Sequence, residues 1–278
     1  MRLLVVTAVT AEGDAVTAGL SDARAVPADA HVITADAPVV PADPASGVRA
    51  DAPHAVRADA SGAVPAAAHA PLRRMRRAGL LADVLAAGVG PAAAAGGAAT
   101  ALTTAALAGL PYDVVVSAGI GGGFAPVAPL GSLVVADAIV AADLGSETPD
   151  GFVPVDALGF GRTVHHPPAG PAGRAAKALE RGGLRALLAP VLTVSTVTGS
   201  AERAAVLLAR HPGAGAEAME GFGVAEAAAA HGVPVLEVRA VSNPVGPRDR
   251  DAWRIGEALA VLRQAFRLLT PIVEEEFR

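Results

Sequence analysis

The chain has 278 residues, 52% hydrophobic and only 3% aromatic, which is enough apolar material for one large α/β domain or two small ones with a sizeable core. Its formal charge of -5 at pH 7 excludes a general nucleic-acid binder, which needs a basic face for phosphates, and fits small-molecule chemistry better. With no cysteine there is no disulfide framework, no thiolate nucleophile and no cysteine-held metal.

The N-terminus, MRLLVVTAVTAEGD, lacks the small-residue cleavage pattern of a signal peptide, and none is expected. Leu3 to Val9 is almost continuously apolar and reads as a strand covered on both faces. It leads to Glu12. That residue is either a carboxylate in the first turn of the next helix, favoured there by the helix dipole, or a group that does chemistry. From about residue 27 to 71 the sequence is rich in Pro, Ala and Asp, and most of it reads as a variable insertion, although Ala30 to Thr34 could form a strand. Leu72 to Arg77 (LRRMRR) is expected to be a solvated helix face.

Val84 to Tyr112 carries no charge, but Gly88, Gly90 and Pro91 break it where a membrane span would be continuous. Leu85 to Val89 predicts a strand and Gly90 to Leu107 a helix buried against a sheet. Asp113 to Gly123 (DVVVSAGIGGG) is a β-branched strand running into a glycine turn. Gly119, Gly121, Gly122 and Gly123 leave backbone groups uncovered, so a flat ligand can lie against them. The spacing is not that of the dinucleotide fingerprint.

Gly131 to Ala142 predicts a further strand, and Asp143 to Pro171 a loop-rich region holding Phe152, Phe160, His165 and His166. The adjacent histidines would face opposite ways on a strand and share no metal, so both read as surface or pocket-rim residues. Arg174 to Leu188 predicts a helix and Val191 to Val197 a strand. Thr198 to Glu202 is a helix start of capping-box type.

The stretch from Glu217 to Pro244 carries the most chemistry. Ala218 to His231 predicts a buried helix, with Met219 and Phe222 one turn apart and Gly232 and Pro234 ending it. Val235 to Ser242 predicts a strand with Leu236, Val238 and Ala240 on one side and Glu237 and Arg239 on the other; Pro244 is expected to stop its pairing. Glu220 then stands in the first turn of a helix, and Asn243 just past the carboxyl end of a strand, where open α/β sheets bind ligands. Arg248 to Thr270 predicts a helix with Trp253 near its start, and Glu274 to Glu276 a solvated end. If the sheet is largely parallel here, the strand ends carrying Glu12, the glycines, Val197, Thr198 and Asn243 converge. Two carboxylates, an amide and bare backbone suit a sugar joined to a flat heterocycle.

At these residues the chain resembles the nucleoside phosphorylase and nucleosidase superfamily, and within it the futalosine hydrolases of the alternative menaquinone pathway. The motifs are VVTAVTAE, VVVSAGIGGGFAPVAPLGSLVVAD, VSTVTGSAERA, AMEGFGVAEAAAAHGVPVLEVRAVSN and GPRDRDAW. The resemblance implies an α/β fold, a three-layer αβα sandwich around a twisted mixed sheet, with residues 1–278 as one domain. It implies that Glu12 activates water, that Met219 and Glu220 hold the ribose, and that Gly119, Ile120, Gly121, Gly122, Val197, Thr198 and Phe222 line the substrate pocket. It also implies a cytoplasmic homo-oligomer acting on a small-molecule nucleoside, without cofactor or metal and without nucleic-acid or membrane partners. The phosphorylases' N-terminal Gly-Asp-Pro phosphate loop is missing, and Ile120 stands where related sequences often have Ser. Both departures point to water as the nucleophile.

Asn243 stands where adenosine-type nucleosidases carry Asp. An amide can give N–H to a 6-oxo group, so Asn243 favours hypoxanthine over adenine. A phosphorylase, a methylthioadenosine-type nucleosidase and a non-catalytic purine-binding module are the alternatives. Arg162, His165, Arg248 and Arg250 are all available to pair with a substrate carboxylate.

Overall fold

The computed structural model describes residues 1–20, 24–26, 72–77 and 79–278. The expected insertion, and the strand expected within it, lie outside the described residues. The first strand, β1 (Arg2–Thr7), is buried along Leu3 to Thr7, as its apolar run demands. It stops short of Val9 because the chain turns into α1 (Thr10–Gly19), whose third residue is Glu12.

β2 (Arg24–Val26), β3 (Arg73–Arg77) and β4 (Leu80–Ala86) follow, with β3 antiparallel to both of its neighbours. The LRRMRR run is therefore an edge-region strand and not a solvated helix face. Met75 faces the core, Arg74 donates to the buried Asp83 at 2.7 and 2.9 Å, Arg73 pairs with Asp14, and Arg77 lies 3.3 Å from Glu274. Acids brought in from β4, α1 and the C-terminal helix compensate charges that look free in the sequence.

α2 (Pro91–Leu107) opens with Pro at its first position, as expected. β5 (Val114–Gly123) continues through every glycine of the expected turn, because both of its edges are paired. After β6 (Leu133–Ala141), the region expected to be loop holds a hairpin, β7 (Gly145–Thr148) and β8 (Gly151–Pro154), and then β9 (Val164–His165). α3 (Ala169–Arg181) ends at Gly182 and Gly183, so Ala186 to Leu188 belong to β10 (Ala186–Thr193) and not to the helix. Val197 and Thr198 thus lie beyond that strand, before α4 (Ala201–Arg210), which starts where expected with N-cap Ser200 accepting the N–H of Arg203, but with Arg203 at N3 and so without the expected capping box.

β11 (Ala216–Ala218) takes Ala218 out of the expected helix, and α5 (Gly221–Ala230) starts with Glu220 as its N-cap residue. β12 (Val235–Pro244) extends through Asn243 and Pro244, both paired with β5. α6 (Ile255–Glu276) includes the three terminal glutamates, and Glu274 is only 7% exposed against Arg77. Glu276 pairs with Arg174 and only Glu275 of the three is exposed, so the run is not the solvated end expected.

The sheet runs β11-β10-β6-β12-β5-β1-β4-β3-β2, and β11 also pairs antiparallel with β5, so the path from β5 through β12, β6, β10 and β11 closes on itself. β4, β1, β5 and β12 run parallel; β6, β10 and β11 run the other way. Helices α1, α3 and α6 bury one face, through Val16, Leu179, Leu262 and Phe266 among others, and α2 and α5 the opposite face. This is the expected three-layer arrangement around a mixed sheet. No helix among the described residues is long and apolar enough to cross a membrane.

Candidate active site

The glycines of β5 form the floor. At one end, Glu12 Oε1 accepts the N–H of Ile120 at 2.8 Å, and Oε2 accepts those of Ala8 and Val9 at 2.9 and 3.2 Å. The two readings of Glu12 therefore describe one side chain, since the reach back to Val9 caps α1 while the other oxygen meets the glycine strand. Burial pushes its carboxyl pKa up, against the pull of Arg239 and of the Ile120 and Val9 N–H groups.

A Cβ at Gly119 would come within 2.5 Å of Glu12 Oε1 and 2.7 Å of Arg239 Nη1, so the missing side chain is what lets those two groups approach each other. Arg239, 0% exposed, donates from Nη1 to Glu220 Oε2 (3.1 Å), from Nε to Glu237 Oε1 (2.8 Å) and from Nη2 to Ser117 Oγ (2.9 Å). Burial works against its charge, but Glu237, Glu220 and Glu12 outweigh that and hold its pKa above the ordinary value. Glu220 Oε1 also accepts the N–H of Gly90 at 3.2 Å; Gly90 has φ of 97°, a conformation that side chains disfavour.

At the other end, Asn243 and Glu217 are both cross-strand partners of Gly122, from β12 and β11 respectively. Asn243 Nδ2 donates to the Pro244 carbonyl at 3.0 Å, and its Oδ1 accepts from Ser242 Oγ at 2.9 Å. Glu217 accepts from the Thr198 N–H at 2.8 Å and from its hydroxyl at 2.5 Å, and burial pushes the Glu217 pKa up. Gly119 and Gly122 are three residues apart on an extended strand, a span of about 10 Å.

Convergence of these groups does not come from parallel strands alone, as expected from the sequence. Because β11 runs antiparallel to β5, the chain leaving Glu217 at Gly122 travels back toward Gly119 and delivers Glu220 beside Arg239 and Glu12. Glu12, Glu220 and Asn243 are thereby gathered around the Gly119, Ile120, Gly121 and Gly122 stretch of β5, with Thr198 joined through Glu217. Met219 is half-buried next to Glu220, and Val197 is exposed on the loop after β10. Phe222 is buried: its N–H donates to Thr193 Oγ1 at 2.9 Å and its ring packs against His165, with centroids 5.2 Å apart. His165 is itself buried and bonded to Glu226 at 2.7 Å, which corrects its reading as a rim residue. A cavity of about 670 Å³ lined by Met1, Arg2, Arg24, Arg76 and Arg77 lies at the amino ends of β1 and β4, away from this cluster.

The family model of the phosphorylase superfamily matches residues 72–275. The chain belongs to that superfamily. Among relatives in the phosphorylase superfamily, a futalosine hydrolase from Streptomyces coelicolor is 70% identical over 192 residues, covering 69% of this chain and 80% of that protein. A futalosine hydrolase from Thermus thermophilus is 39% identical over 164 residues, 57% of this chain and 70% of that one. Of solved superfamily structures, a methylthioadenosine/S-adenosylhomocysteine nucleosidase from Colwellia psychrerythraea in complex with adenine superposes with TM-score 0.69 at 18% identity, covering 100% of this chain and 96% of the other. A futalosine hydrolase from Helicobacter pylori gives 0.68 at 14%, covering 98% and 97%. At such identities these two establish the superfamily fold and nothing finer.

The superfamily motifs give roles to Glu12, Glu220 and Asn243 but none to Arg239 and Glu237, which stand inside one of them, or to Glu217 and Gly90. A signal for two of them was present. Glu237 and Arg239 are paired charges at i and i+2 in an otherwise apolar strand, where a buried ion pair is rarely retained for stability alone.

Proposed function

We propose that the chain hydrolyses the N-glycosidic bond of futalosine, releasing hypoxanthine and dehypoxanthinyl futalosine with water as the nucleophile, a step of menaquinone biosynthesis by the futalosine route. The observation that carries this reading is the 70% identity to the Streptomyces coelicolor futalosine hydrolase across 80% of that protein.

Breaking the bond builds positive charge on the ribosyl ring while the leaving purine gains electrons. Glu220, held through Oε2 by Arg239 and through Oε1 by Gly90, serves as the carboxylate that receives the ribose hydroxyls and faces the developing cation. Glu12 orients the attacking water and takes its proton. A carboxyl made more basic by burial suits that task near neutral pH. About 10 Å along β5, Asn243 donates to O6 of hypoxanthine, the bare backbone of Gly121 and Gly122 lies against the ring, and Thr198, anchored by Glu217, borders the base. Met219 lies beside the ribose, Val197 borders the base loop, and Phe222 supports α5 from behind. Residues 1–278 act as one domain in the cytoplasm, and apolar groups exposed after β6, including Leu144, Leu158 and Phe160, support self-association into a homo-oligomer.

The test is incubation with futalosine, inosine and methylthioadenosine, with and without phosphate, while free base is followed. Hypoxanthine released from futalosine without phosphate is the expected result. Strict phosphate dependence, or adenine release from methylthioadenosine at a comparable rate, overturns it.

A further inference from the structure

Glu237 has no part in the chemistry above, yet it is the most completely enclosed acid in the region. It is 0% exposed, sits on a strand paired on both edges, and lies against Gly221 at the start of α5, a position where any side chain at Gly221 would collide with its carboxyl group. Its Oε1 accepts from Arg239 Nε at 2.8 Å, while Oε2 has no hydrogen-bond partner among the described residues. Enclosing a carboxyl with one oxygen unsatisfied costs free energy that a Val or Leu at this strand position would not cost.

We propose that Glu237 is a positioning residue: its ion pair with Arg239 fixes the guanidinium that holds Glu220 and offsets the positive charge that Glu12 feels across Gly119. This rests on the hydrolytic reading of the site. The charged groups facing one another are Glu12 from α1, Glu220 from the N-cap of α5, and Glu237 and Arg239 from β12; from β5 only the neutral Ser117 reaches the guanidinium. Unbalanced, Arg239 would draw Glu12 toward its ionised form and make it a poorer proton acceptor. With Glu237 beside it, the guanidinium still orients Glu220 but presents less net charge to Glu12. Burial pushes the Glu237 pKa up while Arg239 pulls it down, and the same two influences act on Glu12.

Glu237→Gln keeps the shape and the acceptor for Arg239 Nε but removes the charge. The acid limb of the kcat/KM profile for futalosine then moves to lower pH by about one unit, the scale of one unit charge removed from the far side of the shared guanidinium in a partly screened interior. On the plateau kcat falls about tenfold with KM within about threefold, the pattern of a weakened base and not of lost binding. Glu237→Asp, with the charge withdrawn by one methylene, moves the limb the same way by less, and it carries the test if the Gln protein does not fold. A ¹³C-carboxyl titration of Glu12, assigned by its loss in Glu12→Gln, reads the same displacement without turnover. An acid limb and a Glu12 titration that both stay at their wild-type positions overturn the proposal. If wild-type protein releases no hypoxanthine, the functional reading fails by itself and the Glu12 titration still decides the role of Glu237.

Discussion

Asn243 faces Gly122 across the β5–β12 ladder, so closely that a methyl group on Gly122 would stand 3.3 Å from Asn243 Nδ2. The amide is held by its own neighbours, donating to the Pro244 carbonyl and accepting from Ser242 Oγ. Asn243→Asp puts an acceptor where a 6-oxopurine needs a donor, and it also opposes the Pro244 carbonyl. Relative kcat/KM for a 6-amino over a 6-oxo nucleoside is expected to rise by about a hundredfold or more, measured by competition between futalosine and its aminopurine counterpart. Unchanged base preference would remove Asn243 from base recognition.

Gly119→Ala tests the closeness of Glu12 and Arg239. The new methyl would meet Glu12 Oε1 and Arg239 Nη1 at under 3 Å, and neither can retreat freely, because three backbone N–H groups hold the first and Glu237, Glu220 and Ser117 hold the second. Thermal denaturation is expected to show a loss of about 1–3 kcal/mol, with kcat reduced at least tenfold. Gly96→Ala, where nothing lies within 4 Å of the added methyl, is the matched control and keeps both.

The strands and helices that place this site were largely legible because they follow one-dimensional rules. The apolar run of β1, the Pro-opened α2 and the Ser-capped α4 each begin where composition says they should. What was illegible depends on closure of the sheet. Nothing local says that β11 returns antiparallel along β5, and without that return Glu220 has no reason to sit beside Glu12. The same holds for LRRMRR, where Arg74, Arg73 and Arg77 are matched by Asp83, Asp14 and Glu274 from distant elements. Read alone, the run looks like a solvated surface. The glycines read as a turn for the converse reason, since backbone that can turn can also remain extended when both edges find partners.

Glu12→Gln and Glu220→Gln should separate the two carboxylates. With Glu12 as the proposed base, its removal is expected to cost about 10²–10⁴ in kcat with little change in KM. Removing Glu220, proposed to accept the ribose hydroxyls, is expected to raise KM as well, and leaves Arg239 with one carboxylate fewer. Steady-state kinetics on futalosine distinguish the two patterns, and equal effects on kcat and KM in both variants would contradict this division of labour.

Glu217 offers a test of electrostatics that needs no turnover. Burial raises its pKa above the ordinary 4.5, with the two Thr198 hydrogen bonds only partly opposing it, so the folded protein holds this proton more tightly than the unfolded chain does. Stability from this group is therefore fully present below pH 4.5 and is lost as pH rises from there through the folded-state value, the opposite sense to a salt-bridged carboxylate. Glu217→Gln cannot titrate, yet its amide can still accept the Thr198 N–H and donate to the hydroxyl, keeping both contacts. Denaturant unfolding between pH 4.5 and 7.5 should show a shallower fall for the variant than for the wild type, with the Gln protein at least as stable at pH 7.5. A wild-type curve that rises faster than the variant's over that interval would mean that Glu217 is ionised more easily in the fold than in the open chain, and that the Thr198 bonds outweigh its burial.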